Sequence, residues 1–305
     1  MDALGTKHDA NYDFFDMTSL QAYIAGFKTL FQFKKLWLWY YLANLVIALL
    51  ASIPVFYFFK GNFGHSVAMQ DLLERFDFRI ITDILNQYGV GIAPLFNQSM
   101  VLSVFFLILT AYFLGGILRT YLLKDTHVDA ASFVANCFRY GRKILFLAVL
   151  FLGLQLLLFA VFWFSFESLS GGFSPDDVES EAVITSALRW VGVPYLVVVA
   201  IFSMVHDYAK VHLVRKSTGV FASFLNGFRF CWTHFRTVFF LMLFHLLTFL
   251  VVYVLYKLID MGFSETTGLR VFLFFLISQV FIFLRIGLKL WNLGSVVKVL
   301  SVKVF

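Results

Sequence analysis

Ionisable side chains inside long apolar segments are the first place to look for chemistry, because a charge in lipid is costly and is usually kept for function. His245 lies within such a segment, and Arg119, Asp207 and Arg285 lie near the ends of three others, in GGILRTYL, FSMVHDYAK and FIFLRIGLK. These four residues form a candidate buried polar cluster. One possibility is that they meet where the second, fourth and sixth segments converge. The other is that the arginines snorkel to the interface and Asp207 pairs locally with Lys210. The second interpretation is favoured, because Lys and Arg near helix ends usually snorkel.

Motifs for catalysis and metal binding are missing from the sequence. It contains no His-Glu-x-x-His pair, no Gly-x-Ser-x-Gly elbow and no phosphate loop ending in Gly-Lys-Ser/Thr. The seven histidines are scattered, and Cys137 and Cys231 stand alone. The sequence therefore predicts a protein that is not an enzyme and has no cofactor and no metal site.

The composition places the chain in a membrane. Of its 305 residues 61% are hydrophobic and 14% charged, with a mean hydropathy of +0.85, outside the range of soluble domains. Six apolar segments qualify against the roughly 20 residues that a spanning helix needs, the fourth being the shortest: residues 36–59, 99–123, 144–166, 190–205, 238–258 and 269–290. Backbone hydrogen bonding in lipid then requires helices. The predicted fold class is an all-α integral membrane protein with six transmembrane helices.

The distribution of Lys and Arg predicts the orientation. They are concentrated before the first segment, in the second and fourth connections and after the sixth segment, so the positive-inside rule places both termini in the cytoplasm. Topology thereby explains the net charge of +6, and we expect no nucleic-acid partner.

A sequence motif, called the phrase below, consists of a small residue followed by Phe and a cation. It occurs three times, in YIAGFKT (23–29), FVANCFRY (133–140) and FLNGFRFCWTHFR (224–236). Each copy precedes a helix pair, which predicts three repeats of an interfacial amphipathic helix plus a helix pair, at about 18–123, 129–213 and 218–290. The cations form a candidate collar for lipid headgroups or a partner: Lys28, Arg139, Arg229 and Arg236. The alternative is that they only anchor the following helices.

The two ends of the chain are predicted separately from the six-helix domain, 18–293. Residues 1–17 form a polar tail, and Thr18 with Gln21 predicts a capping box at the start of the first interfacial helix. Residues 294–305 form a cytoplasmic tail whose Val-rich alternation favours a strand over a frayed helical continuation.

The repeated phrases and the HDYAK end of the fourth segment resemble uncharacterised bacterial six-span membrane families, including the membrane domain found beside some glycerophosphodiester phosphodiesterases. The phosphodiesterase motifs themselves are missing, so that activity is not implied. The resemblance implies a bacterial inner-membrane protein. We expect a non-catalytic accessory or scaffold subunit whose partners are membrane lipids and another membrane protein. The alternative is a protein that binds or transports lipids or other amphiphiles.

Overall fold

A computed structural model of the chain describes residues 9–63, 78–123, 129–170, 185–217, 219–261 and 268–303. Eight α-helices account for nearly all of these residues. They are α1 (Asp9–Gln32), α2 (Lys34–Phe63), α3 (Phe78–Leu123), α4 (Ala130–Ser170), α5 (Val193–Lys216), α6 (Val220–Thr233), α7 (Phe235–Asp260) and α8 (Gly268–Lys303). A π-helical turn, Leu188–Gly192, leads directly into α5.

Six stretches of helix are long and apolar enough to cross a membrane. They are Lys34–Asn62, Pro94–Leu123, Ala130–Leu169, Thr185–Lys216, Phe235–Asp260 and Phe272–Val302. Most of their large apolar side chains are exposed, as expected for surfaces that face lipid rather than water. The predicted fold class, an all-α multi-pass membrane protein with six spanning helices, is confirmed.

Two of the three phrase copies form a helix of their own. The break between α1 and α2 falls at Phe33, and the break between α6 and α7 falls at His234, whose backbone leaves the helical region at φ −120° and ψ 34°. The second copy, by contrast, is the first part of the uninterrupted 41-residue α4. The predicted separation of an interfacial helix from its span is therefore wrong for this copy, and the threefold repeat stays a prediction.

Small residues let each phrase approach another helix closely. A Cβ atom on Gly26 would collide with Ser295 of α8, and one on Gly227 would lie 2.8 Å from the backbone nitrogen of Ala209 in α5. In the second copy, Cys137 borders Gly116 of α3. The three phrases thus pack against α8, α3 and α5, which carry the sixth, second and fourth spanning stretches. Helix α1, at the start of the chain, packs along α8 near the end of the chain.

The described residues divide into two compact units, 1–37 with 111–305, and 38–110. The second unit holds most of α2 and the first part of α3, and its described side chains are largely exposed and apolar, for example Phe56 at 60% and Met100 at 71%. The candidate site lies wholly within the first unit.

At the C-terminal end the favoured strand is wrong and the alternative, a helical continuation, is correct; at the N-terminal end the capping box is wrong, and residues 1–8 of the predicted tail lie outside the described residues. Helix α8 continues to Lys303, through the boundary predicted at 293/294, and Val299 and Leu300 are fully buried. Packing against α1 and a bond from Arg215 Nη1 to the carbonyl oxygen of Leu300, 2.6 Å long, hold this Val-rich segment helical. At the other end α1 begins at Asp9, so Thr18 lies inside the helix and cannot cap it.

Candidate functional site

A cavity of about 320 Å³ lies between α5, α7 and α8. Most of its lining is apolar, with residues such as Leu241, Leu246 and Phe249 contributed by α7. Its polar lining comes from all three helices: Ser203, Asp207 and Tyr208 on α5, His245 on α7, and Arg285, Lys289 and Asn292 on α8. An apolar cavity with a few converging polar groups is the usual form of a small-molecule site.

Helical periodicity explains why these residues share one cavity. On α7 the lining residues recur at spacings of three and four, which places Leu241, His245 and Phe249 on a single stripe. On α8 the same spacing aligns Arg285, Lys289 and Asn292 over two turns. The cavity thus forms where a mostly apolar stripe of α7 and a polar stripe of α8 face Asp207 of α5.

Asp207 connects two helices through its carboxylate. Its Oδ1 accepts a bond of 2.9 Å from Lys210 Nζ one turn along α5, and its Oδ2 accepts a bond of 2.7 Å from Asn292 Nδ2 on α8. The side chain of Lys210 is only 8% exposed. Local pairing of Asp207 with Lys210 is confirmed, and the sequence analysis missed the additional bond across to α8.

Arg285 and Lys289 stand one helical turn apart on α8, and both are exposed while they border the cavity. In the part of the chain that the structure describes, neither cation has an acidic partner within 4 Å. They therefore present two positive charges that the protein does not neutralise by contact. Sequence reasoning identified Arg285 as a candidate site residue and missed Lys289, whose position at the end of the predicted sixth segment, 269–290, gave no signal.

The predicted cluster is brought together only in part. Asp207, His245 and Arg285 line the same cavity, whereas Arg119 lies over the ring of Tyr140 at 5.7 Å, on a different pair of helices. Asp207 forms its ion pair with Lys210 and not with an arginine. A central ion-pair cluster of all three charged residues is therefore wrong.

Two buried polar atoms of the lining residues have no hydrogen-bond partner among the described residues: the hydroxyl of Tyr208 and Nε2 of His245. The other ring nitrogen of His245, Nδ1, lies 2.9 Å from the carbonyl oxygen of Leu241. Edge contacts with Tyr23 and Trp291 hold the imidazole ring in place, at centroid distances of 4.9 and 5.5 Å. Leaving a buried polar atom unpaired costs about 1–3 kcal/mol, so a polar ligand group that paired with either atom would recover that cost.

The four collar cations are exposed and lie on separate helices, away from the cavity lining. Two of them rest over aromatic rings of their own helices, Arg139 over Tyr140 at 5.7 Å and Arg236 over Phe240 at 6.0 Å. Cations beside aromatic rings are typical of the membrane interface. The role of the collar in binding lipid or a partner stays a prediction.

The two cysteines are buried, and neither lines the cavity. Burial raises the pKa of the Cys231 thiol to about 12, so it is a packing residue with little thiolate at neutral pH. Within the described ranges, no three His, Cys, Asp or Glu side chains are grouped closely enough to hold a metal ion.

The chain was compared with family models, curated proteins and solved structures, and it matches none of them. The resemblance to bacterial six-span families therefore stays a prediction, and the functional argument depends on the residues of the cavity.

Proposed function

We propose that this membrane protein binds an anionic amphiphile in the cavity between α5, α7 and α8 and does not convert it chemically. The observation that carries the proposal is the pair Arg285 and Lys289 at the edge of an apolar cavity, two cations with no acidic partner within 4 Å among the described residues. The amphiphile function, which the sequence analysis held as the alternative, thus has more support than the accessory function.

The chemistry of the lining fits the two parts of such a ligand. Leu246, Phe249 and Leu288 offer an apolar wall to an acyl chain. The two cations offer charge to a phosphate or carboxylate, and each basic residue near an anionic surface contributes about 1 kcal/mol. Asp207 forms its ion pair with Lys210, so the charge of this pair is balanced and the two cations leave the site with a net positive charge.

We place the cavity in the cytoplasmic leaflet of a bacterial inner membrane, with both termini cytoplasmic. The support is the concentration of Lys and Arg at the chain ends and in the second and fourth connections. Fluorescent-protein and alkaline-phosphatase fusions after residue 303 test this orientation. Fluorescence without phosphatase activity is expected, and the reverse result would contradict it.

A second candidate function is an accessory or scaffold subunit of a membrane assembly. The exposed aromatic face of α6 favours it, since Phe221, Phe228 and Trp232 are 64%, 47% and 76% exposed. Native mass spectrometry of the protein extracted gently from its membranes separates the two functions. A protein partner at fixed stoichiometry supports the accessory function, and a retained anionic lipid without a partner supports amphiphile binding.

The decisive experiment compares lipids of equal acyl chains in nanodiscs. The wild type is expected to retain phosphatidylmethanol, a singly charged anion, over zwitterionic phosphatidylcholine. The double variant Arg285→Gln with Lys289→Gln is expected to lose about 2 kcal/mol of the binding free energy of the anionic lipid, which is roughly a 30-fold loss of affinity.

The matched control replaces two exposed cations on α4, Arg139→Gln with Arg142→Gln, which do not line the cavity. This control is expected to leave the preference for the anion unchanged. If instead the α4 pair abolishes the preference and the cavity pair does not, the collar binds the lipid and the cavity proposal is wrong.

A further inference from the structure

Resting on the proposed function, we propose that the amphiphile is a phospholipid whose headgroup carries a free hydroxyl beside its single phosphate charge, as in phosphatidylglycerol. Arg285 and Lys289 bind the phosphate. Tyr208 and His245 bind the hydroxyl group. The argument starts from these last two residues, whose polar atoms have no partner among the described residues.

The bond at His245 Nδ1 determines what its other nitrogen needs. A backbone carbonyl only accepts hydrogen bonds, so the 2.9 Å contact with the oxygen of Leu241 assigns the proton to Nδ1. Nε2 of the neutral ring is then an acceptor, and it requires a donor from the ligand. A deprotonated phosphate oxygen is itself an acceptor and cannot supply that donor.

The donor is a hydroxyl rather than an ammonium group because of the surrounding charge. Arg285 and Lys289 border the same cavity, and both repel a ligand cation. The carboxylate of Asp207, the one acidic group among the lining residues, already binds Lys210 and Asn292. A neutral hydroxyl avoids this repulsion and still donates to His245.

Tyr208 completes the site for a hydroxyl. Tyr208 is buried, with 3% of the residue exposed, and its phenol hydroxyl can both donate and accept a hydrogen bond. It can therefore pair with a second headgroup hydroxyl, or donate to the oxygen of the first. Lys289 and His245 line the same cavity, which places the phosphate-binding and hydroxyl-binding groups at one site.

The experiment compares phosphatidylglycerol with phosphatidylmethanol, two lipids of equal charge that differ in the headgroup hydroxyls, in nanodiscs of otherwise identical acyl chains. Native mass spectrometry of the full-length protein is expected to show about a five- to tenfold preference for phosphatidylglycerol. Tyr208→Phe, which keeps the ring and removes the hydroxyl, and His245→Phe, which replaces the imidazole by a larger apolar ring, are each expected to reduce this preference several-fold. Both should leave the preference for phosphatidylmethanol over phosphatidylcholine intact.

Tyr253→Phe is the matched control, because Tyr253 is exposed on α7 and does not line the cavity; it should change neither preference. Equal retention of phosphatidylglycerol and phosphatidylmethanol by the wild type overturns the inference and leaves the proposed function standing. Equal retention of phosphatidylmethanol and phosphatidylcholine overturns both. A preference for phosphatidylethanolamine over phosphatidylglycerol shows that the donor is an ammonium group, which also contradicts the inference. If His245→Phe does not fold, Tyr208→Phe alone decides.

Discussion

The contact between α6 and α5 predicts a measurable effect of adding one methyl group at Gly227. A Cβ atom there would lie 2.8 Å from the nitrogen of Ala209 and 3.0 Å from its Cα and Cβ atoms. None of these atoms can rotate away, so the two helices must separate. Overpacking of this kind costs about 1–3 kcal/mol, and the better helix propensity of Ala returns up to about 1 kcal/mol.

The matched control is Gly153→Ala within α4, where an added Cβ atom meets no atom within 4 Å. This substitution has only the propensity effect and is expected to stabilise the protein by about 0.4–1 kcal/mol. The comparison between the two variants removes that shared contribution. The remaining difference of about 1–3 kcal/mol measures the cost of the collision itself.

Thermal unfolding of both variants in the same detergent, followed by loss of the monodisperse species, measures the difference. At about 2–4 °C per kcal/mol, the Gly227→Ala variant should unfold several degrees below Gly153→Ala. Equal midpoints would refute the reasoning, because they would show that α6 is not seated against α5 through this glycine.

Three further predictions concern buried groups. Asp207→Leu leaves Lys210 buried without its partner and should destabilise the protein by about 3–5 kcal/mol. Adding Lys210→Met should restore most of the lost stability. A double variant as unstable as the single one would argue against a buried ion pair. The native thiols should resist maleimide in membranes at pH 8, because a pKa of about 12 leaves Cys231 almost entirely protonated. The control Thr233→Cys introduces a thiol at an exposed position and should be labelled. Rapid labelling of the native thiols would contradict their burial. Trp291→Phe removes a donor to a backbone carbonyl of α1 and should lower the unfolding midpoint by an amount equivalent to about 1–3 kcal/mol; an unchanged midpoint would show that this bond is not formed.

The spanning helices could be predicted because their signal is contained in composition alone. About twenty apolar residues in succession leave the helix as the structural solution in lipid, and each of the six predicted segments lies within helical structure. The helical end of α8 could not be predicted in this way. Residues such as Val299 prefer strands in isolation, and only burial against neighbouring helices decides for a helix.

The candidate site could be predicted only where a charge interrupted an apolar run. Asp207, His245 and Arg285 gave that signal, and the structure places all three at one cavity. Lys289 and Asn292 lie beyond the predicted end of the apolar run or at its edge, where polar residues are ordinary. Their importance depends on the register between α5 and α8, which no local pattern encodes.

The packing of α1 against α8 has a consequence for biosynthesis. Trp291 Nε1 donates a hydrogen bond to the carbonyl oxygen of Tyr23 across 268 residues of chain. At a synthesis rate of about 5–20 residues per second, roughly 13–54 s pass between the emergence of the two partners. Throughout that interval Tyr23 and Phe27 lack the ring of Trp291 that packs against them in the complete fold, and among the described helices only α7, through Phe244, can cover part of this face earlier. We expect binding of α1 at the bilayer surface to keep these aromatic residues from aggregating until α8 has been inserted.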